Sequence, residues 1–447
     1  MTDDEIKSQI KSLQDKFIAE TIGLDDTKFY FNEKQLSQFT DKRDYQVVKF
    51  NWGFFKTYHY ELGITECKKI LANSLDEKVR VYALNQLNKH YQKKISQLLY
   101  QKIILDRKLI KQNSVESMCG TELKINNFLD NLKNQYACPD YDLWFKTIEL
   151  NDKLTIINGL LHQLFTLESI VKGVFEVYEK LFQVKIIQVT ELQPDYNLFY
   201  TNENISKWHI QIYNIYDNDV RIGTFYLDLY KRNLKPPNPC IIPWNADKIS
   251  QSYPVASVSL TIDEPYAPIY LEDITSLFHE MAHMFHFVFA GTNVFAKFPY
   301  DFMEIPSTLF EKFIQSQPIL KLLTKYPEQI TDNFVELIKK CLIDIYFCEN
   351  RISWKKAWVD YQLHTEPEDK LFNIINSNAY LLANVHCFNC QMDGYRYLYA
   401  REKSSELYEK FFKSNELSQS HGMKFRKEFL SVNSSPLKIY NEFIRNI

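Results

Sequence analysis

The stretch Leu277-Phe278-His279-Glu280-Met281-Ala282-His283-Met284-Phe285-His286 carries the spacing in this sequence that reads most directly as chemistry. Residues four apart share one face of a helix. His279 and His283 can therefore reach one metal ion, with Glu280 beside it to take a proton from water. Zinc suits such a set, because it accepts nitrogen and oxygen ligands, keeps a position open and acidifies water there. A third protein ligand is needed, and the candidate is Glu304 in Asp301-Phe302-Met303-Glu304-Ile305-Pro306-Ser307. Pro306 is expected in the first turn of a helix. Glu311, seven residues beyond Glu304, would lie on the same face two turns later and could orient a ligand. The competing reading is a buried helix whose histidines merely hydrogen-bond. An HExxH arises by chance in roughly one such chain in a hundred. Burying two histidines and a glutamate among Met281, Ala282, Met284, Phe285, Phe287, Val288 and Phe289 is costly unless they are paired or metal-bound.

The elements that must position these residues can be read from periodicity. Residues 1 to about 185 are expected to be helical: Leu84, Leu87, Ile95, Leu98 and Leu99 recur at helical spacing, as do the apolar residues from Leu167 to Leu181. The period then changes. His209 to Tyr216 and Val220 to Tyr230 alternate, and Asp217-Asn218-Asp219 between them is a hairpin turn. Lys235-Pro236-Pro237-Asn238-Pro239 breaks regular structure. Val255 to Thr261 is a third strand. This gives a mainly α fold with a small sheet at about 205–262, just before a motif helix at about 273–290. The expected division is an N-terminal helical region, 1–185, and a catalytic core, 186–447.

Composition excludes several classes. The 447 residues include 45% hydrophobic and 24% charged, with a net charge of −3 and no basic block, so a nucleic-acid partner is not expected. No apolar run reaches the roughly 18–20 residues needed to cross a bilayer. The acidic start, Met1-Thr2-Asp3-Asp4-Glu5, has no apolar signal core, and the cytosol is the default expectation. The eight cysteines read as free thiols. Cys387-Phe388-Asn389-Cys390 is the single CxxC, without the second pair a zinc ribbon needs.

Several blocks resemble the thimet oligopeptidase and oligopeptidase A family of zinc metallopeptidases, which is neurolysin-like. Its FHExGHxxH is similar to Phe278 through His286, and its DFVExPSQ to Asp301 through Thr308. Gly223-Thr224-Phe225-Tyr226-Leu227-Asp228-Leu229-Tyr230-Lys231-Arg232 resembles its G-x-FYLDLYxR strand, and Asp360-Tyr361-Gln362-Leu363-His364-Thr365 its D-x-x-LHT segment. A family His followed by closely spaced tyrosines is matched by His386 and Tyr395-Arg396-Tyr397-Leu398. The chain departs from the family in three ways. Ala282 replaces the motif glycine, the interval from His283 to Glu304 is shorter, and His386 lacks the glycines that follow it elsewhere. Family members are also longer, mostly at the N-terminus.

The resemblance implies two helical lobes around a deep channel, one zinc per chain on His279, His283 and Glu304, and hydrolysis of short unstructured peptides by a monomer. It also makes His386, Tyr397 and Tyr395 candidate donors to the carbonyl oxygen during hydrolysis, with Tyr397 favoured by the Tyr-Leu pair. Alternatives are a catalytically weakened peptide-binding relative, a zinc carboxypeptidase of similar helical build, and a helical protein with an accidental motif.

Overall fold

Glycine is scarce, at 10 residues, which favours long helices over turn-rich folds. The computed structural model is accordingly 66% helical, a mainly α fold with small sheets. It describes residues 2–22, 27–36, 46–52, 55–112, 117–120, 122–146, 148–190, 200–233, 235–236, 238–244, 253–292, 294, 298–431 and 434–447. Contacts divide the chain into two units, and the division does not follow a single cut at 185. One unit comprises 1–115, 120–151 and 344–395; the other comprises 116–119, 152–343 and 396–447.

The first unit is built on the long helix Glu77–Gln112, which packs against Asp3–Ile22, Ile64–Asn73, Leu371–Ser377 and Ala379–Leu382. Its core includes Phe17, Phe31, Leu87, Ile95, Val359 and Phe388, all essentially inaccessible to solvent. The expectation of helix throughout residues 1–185 fails here. Strands β1 (Phe29–Asn32), β2 (Gln46–Trp52) and β3 (Phe55–Leu62) form an antiparallel sheet in the order β1-β3-β2. Phe29-Tyr30-Phe31 and Thr57-Tyr58-His59-Tyr60 are rich in the aromatic and β-branched types that favour strands, in runs too short to show a helical period.

The D-x-x-LHT segment lies within this unit, on the helix Asp332–Thr365. Asp360 and His364 join a buried ionic cluster. His364 Nδ1 lies 3.1 Å from Asp360 Oδ1, and Lys102 pairs with Asp106 at 2.5 Å. The cluster also holds the stretch after Asn389: Lys102 donates to the Cys390 carbonyl, Gln391 to Asp106, and the Gly394 N–H to Asp360. Burial opposes protonation of His364, but Asp360 and Asp106 outweigh it and lift its pKa to about 9.

The second unit carries the other sheet: β4 (Lys185–Gln188), β5 (Gln211–Asp217), β6 (Val220–Tyr230), β7 (Cys240–Pro243) and β8 (Val255–Ile262), ordered β4-β5-β6-β8-β7. Only β6 and β8 run parallel. The β5–β6 turn places Asn218 at φ 53°, a left-handed conformation that Asn tolerates. The sheet packs on the helix Leu271–Ala290. The approach is close at Gly223, where a Cβ would meet Val288 Cγ2 at 2.7 Å. Behind that helix, Leu167–Phe182 begins at a reciprocal Thr166–Ser169 cap and stacks Tyr178 on Phe285 at 4.7 Å. The Tyr178 hydroxyl donates to the Phe278 carbonyl at 2.8 Å. Phe278, Phe285 and Phe287 are fully buried. Each such ring stabilises the helix position by roughly 1.5–3 kcal/mol.

Candidate metal centre

The helix Leu271–Ala290 starts where the Tyr270 N–H donates to the Asp273 carboxylate at 2.9 Å, and stops at Gly291, whose φ of +92° other residues rarely adopt. Phe278 and Phe285 face Tyr178 and Phe182. With that face anchored, His279 and His283 turn towards the helix Tyr300–Glu311.

Pro306 is not in the first turn of that helix, as the sequence suggested, but in its middle. The helix begins at Tyr300, so Glu304 already sits in regular helix when the proline arrives. Pro306 has no N–H to close the usual bond to the carbonyl four residues back. Local hydroxyl bonds occur directly after it. Thr308 Oγ1 donates to the Glu304 carbonyl at 2.7 Å, and Ser307 Oγ lies 3.0 Å from that carbonyl and 2.9 Å from Glu304 Oε2.

Three ligand atoms converge. His279 Nε2 and His283 Nε2 are 3.2 Å apart, and Glu304 Oε2 is 3.3 Å from the first and 3.2 Å from the second. A tetrahedral zinc with bonds of about 2.0–2.1 Å keeps neighbouring ligand atoms about 3.3 Å apart. The three residues therefore fit a zinc ion in spacing and in donor type. On the far side of its ring, His279 Nδ1 lies 2.6 Å from Glu311 Oε1. A proton on Nδ1 shared with Glu311 leaves the Nε2 lone pair facing the other two ligands.

The electrostatics favour a cation. Burial lifts the Glu280 carboxyl above its ordinary range; His279 and His283 pull it down, while Glu304 and Glu311 push it up. For Glu304, burial also acts upwards, but the imidazoles of His283 and His279 hold it well below the usual carboxylate range. Glu311 is lowered too, burial being outweighed by its hydrogen bond to His279. Burial opposes protonation of His279, yet its bonds to Glu304 and Glu311 raise its pKa well above the ordinary value. Three carboxylates around two imidazoles, those of Glu280 and Glu304 buried and that of Glu311 partly so, draw positive charge inwards.

Tyr397 is the second residue of the helix Arg396–Leu407, which packs along Tyr300–Glu311. Its phenol is pushed well up by burial, by the negative charge of Glu304 and Glu280, and by a hydrogen bond to Glu304. Tyr395 belongs to the first unit, in the turn before that helix. It is 2% exposed and meets Phe128 edge-on, with centroids 6.3 Å apart. The helix begins between the two tyrosines, at Arg396. His386 lies in the helix Val385–Asn389, and its side chain falls outside the described ones.

The sequence pattern of peptidase family M3 matches residues 84–445. The chain belongs to peptidase family M3. Among curated proteins it is similar to a thimet-like oligopeptidase of Dictyostelium discoideum, 25% identical over 70% of this chain and 51% of that protein. It is also similar to saccharolysin of Saccharomyces cerevisiae, 26% identical over 45% and 32%. The mitochondrial intermediate peptidase of Mus musculus is 23% identical over 48% and 35%. The chain thus spans about half the length, or less, of these relatives.

Two features of this M3 chain escaped the sequence reading. Edge strand β7 follows the proline-rich stretch and packs against the motif helix. Burial and the charge of Glu280 push its Cys240 thiol up to about 11. A short Cys240-Ile241-Ile242 run after three prolines was the available signal. The second feature is the pair of hydroxyls after Pro306, visible as Ser-Thr but with no spacing rule to give them a role. A further set of ligand types, Asp360, Cys390 and Asp393, lies in the first unit. The Lys102 charge acts on Asp360 there, and the raised pKa of His364 brings a second positive charge, which makes that set unfit for a cation. The eight cysteines form no disulfide among the described residues.

Proposed function

We propose that this chain is a zinc-dependent endopeptidase, an oligopeptidase that hydrolyses short unstructured peptides. One zinc per chain would be held by His279, His283 and Glu304. The observation that carries the reading is the triangle of Nε2, Nε2 and Oε2 atoms at 3.2–3.3 Å, with the buried Glu280 next to it on the same helix. Membership of peptidase family M3 supports it.

Bound there, zinc supplies a Lewis acid and acidifies water at its open position. Glu280, whose carboxyl burial lifts above its ordinary range, takes the proton from the attacking water and returns it to the departing amine. Tyr397 keeps its proton because burial and the neighbouring carboxylates hold its pKa high. It can therefore donate to the carbonyl oxygen as negative charge develops there, a contribution of about 2.7–4 kcal/mol for one such donor. Glu311 holds the His279 ring and fixes which nitrogen faces the metal. His386 is the second candidate donor, on the family resemblance alone.

Mass-spectrometric mapping of cuts in a peptide library, with and without chelator, tests this. Internal cuts that vanish with chelator and return with zinc are expected. End-blocked peptides left intact while free ones are trimmed would make it a carboxypeptidase. Binding without cleavage would make it a peptide-binding relative.

A further inference from the structure

We propose that Ser307 is a positioning residue for the metal ligand Glu304, selecting by its hydroxyl which carboxylate oxygen faces the two imidazoles. The inference rests on the metal-centre reading above and adds to it the group that orients the third ligand.

The last torsion of a glutamate side chain is broad and nearly two-fold, so the chain's own stereochemistry does not choose between Oε1 and Oε2. Something outside the side chain must. Ser307 is fully buried, three residues along the same helix. Its Oγ reaches Glu304 Oε2 at 2.9 Å and the Glu304 carbonyl at 3.0 Å. A hydroxyl has one proton to give. The carbonyl already receives the Thr308 hydroxyl at the shorter distance of 2.7 Å. The charged carboxylate is the stronger acceptor, and the Ser307 proton goes there. Oε2 is also the oxygen that lies 3.2 Å from His283 Nε2 and 3.3 Å from His279 Nε2. The serine bond therefore fixes the oxygen on which the metal triangle depends.

Pro306 makes this arrangement local. With no N–H at 306, the helix lacks one backbone hydrogen bond just before the serine. The Thr308 hydroxyl faces backbone carbonyls, that of Glu304 at 2.7 Å and that of Ile305 at 3.3 Å. The two adjacent hydroxyls thus divide the work: one serves the carboxylate and the other the main chain.

The test compares Ser307→Ala with Thr308→Ala in the full chain. Zinc affinity is measured by chelator competition, and the ligand field by the visible spectrum of the cobalt(II)-loaded protein. Loss of a group that orients a ligand weakens metal binding about 10–100-fold. Ser307→Ala is expected to fall in that range with shifted cobalt bands, and Thr308→Ala to stay within about twofold of the parent with unchanged bands, as its backbone-only bonds imply. Equal affinity for Ser307→Ala and the parent overturns the proposal, and so does an equal loss in both variants. Should Ser307→Ala fold poorly, Ser307→Cys keeps a similar volume with a weaker donor. It is expected to lose affinity less steeply, and an unchanged affinity again overturns the proposal. A parent protein that binds no zinc sinks the metal-centre reading itself, which is a different result from a parent that binds and a serine variant that binds equally well.

Discussion

His279 and Glu311 meet between two helices, with the imidazole Nδ1 2.6 Å from the carboxylate Oε1 and both side chains partly shielded from solvent. The carboxylate accepts a hydrogen bond from the Nδ1–H on the far side of the ring, and Nε2 faces Glu304. Glu311→Gln keeps the shape and removes the charge. We expect zinc affinity to fall about 10–100-fold, read by chelator competition, with little change in fold. Unchanged affinity would show that the ring is held by packing alone.

His279→Ala should lose the metal, because two remaining ligands bind poorly. Glu280→Gln should retain it and lose nearly all turnover, because the amide cannot accept the proton. Elemental analysis beside a peptide-cleavage assay separates the two. Full zinc occupancy in His279→Ala would refute the ligand assignment.

Tyr397→Phe should lower kcat by about a hundred- to a thousand-fold with a much smaller change in KM, the signature of a donor used mainly in the transition state. Tyr395→Phe, beside Phe128 in the other unit, should leave kcat close to the parent value. If neither variant slows turnover while zinc stays bound, the role passes to His386.

The buried His364 predicts an alkaline loss of stability. Its folded pKa, about 9, lies above the roughly 6.5 of an unfolded histidine. The folded state thus binds the extra proton, and the stabilisation is fully present below about pH 6.5 and disappears as pH rises through about 9. It is on the order of 3 kcal/mol. Urea midpoints at pH 6 and pH 9.5 should show His364→Gln destabilised at the lower pH and close to the parent at the higher. A parallel offset at both values would point to packing instead of charge.

The sequence by itself determined what depends on nearby residues. The i, i+4 spacing of His279 and His283 puts both rings on one face of any helix that contains them. The alternation of β5 and β6 and the Asn218 turn are equally local, and scarce glycine made a mainly α chain legible. The tertiary structure decided what depends on partners far along the chain. Pro306 reads locally as a helix start, but the helix begins at Tyr300 and the proline falls inside it. Tyr395 and Tyr397 differ by two positions in sequence, and only the neighbours of each, Phe128 for one and Glu304 for the other, separate them. Asp360 and His364 carry residue types that suggest a site, yet Lys102 and Asp106, more than 250 residues earlier, make them an ionic core. The N-terminal sheet and the discontinuous units follow the same rule: periodicity reports which face of an element is apolar, while the identity of whatever covers that face is written only in contacts between distant segments.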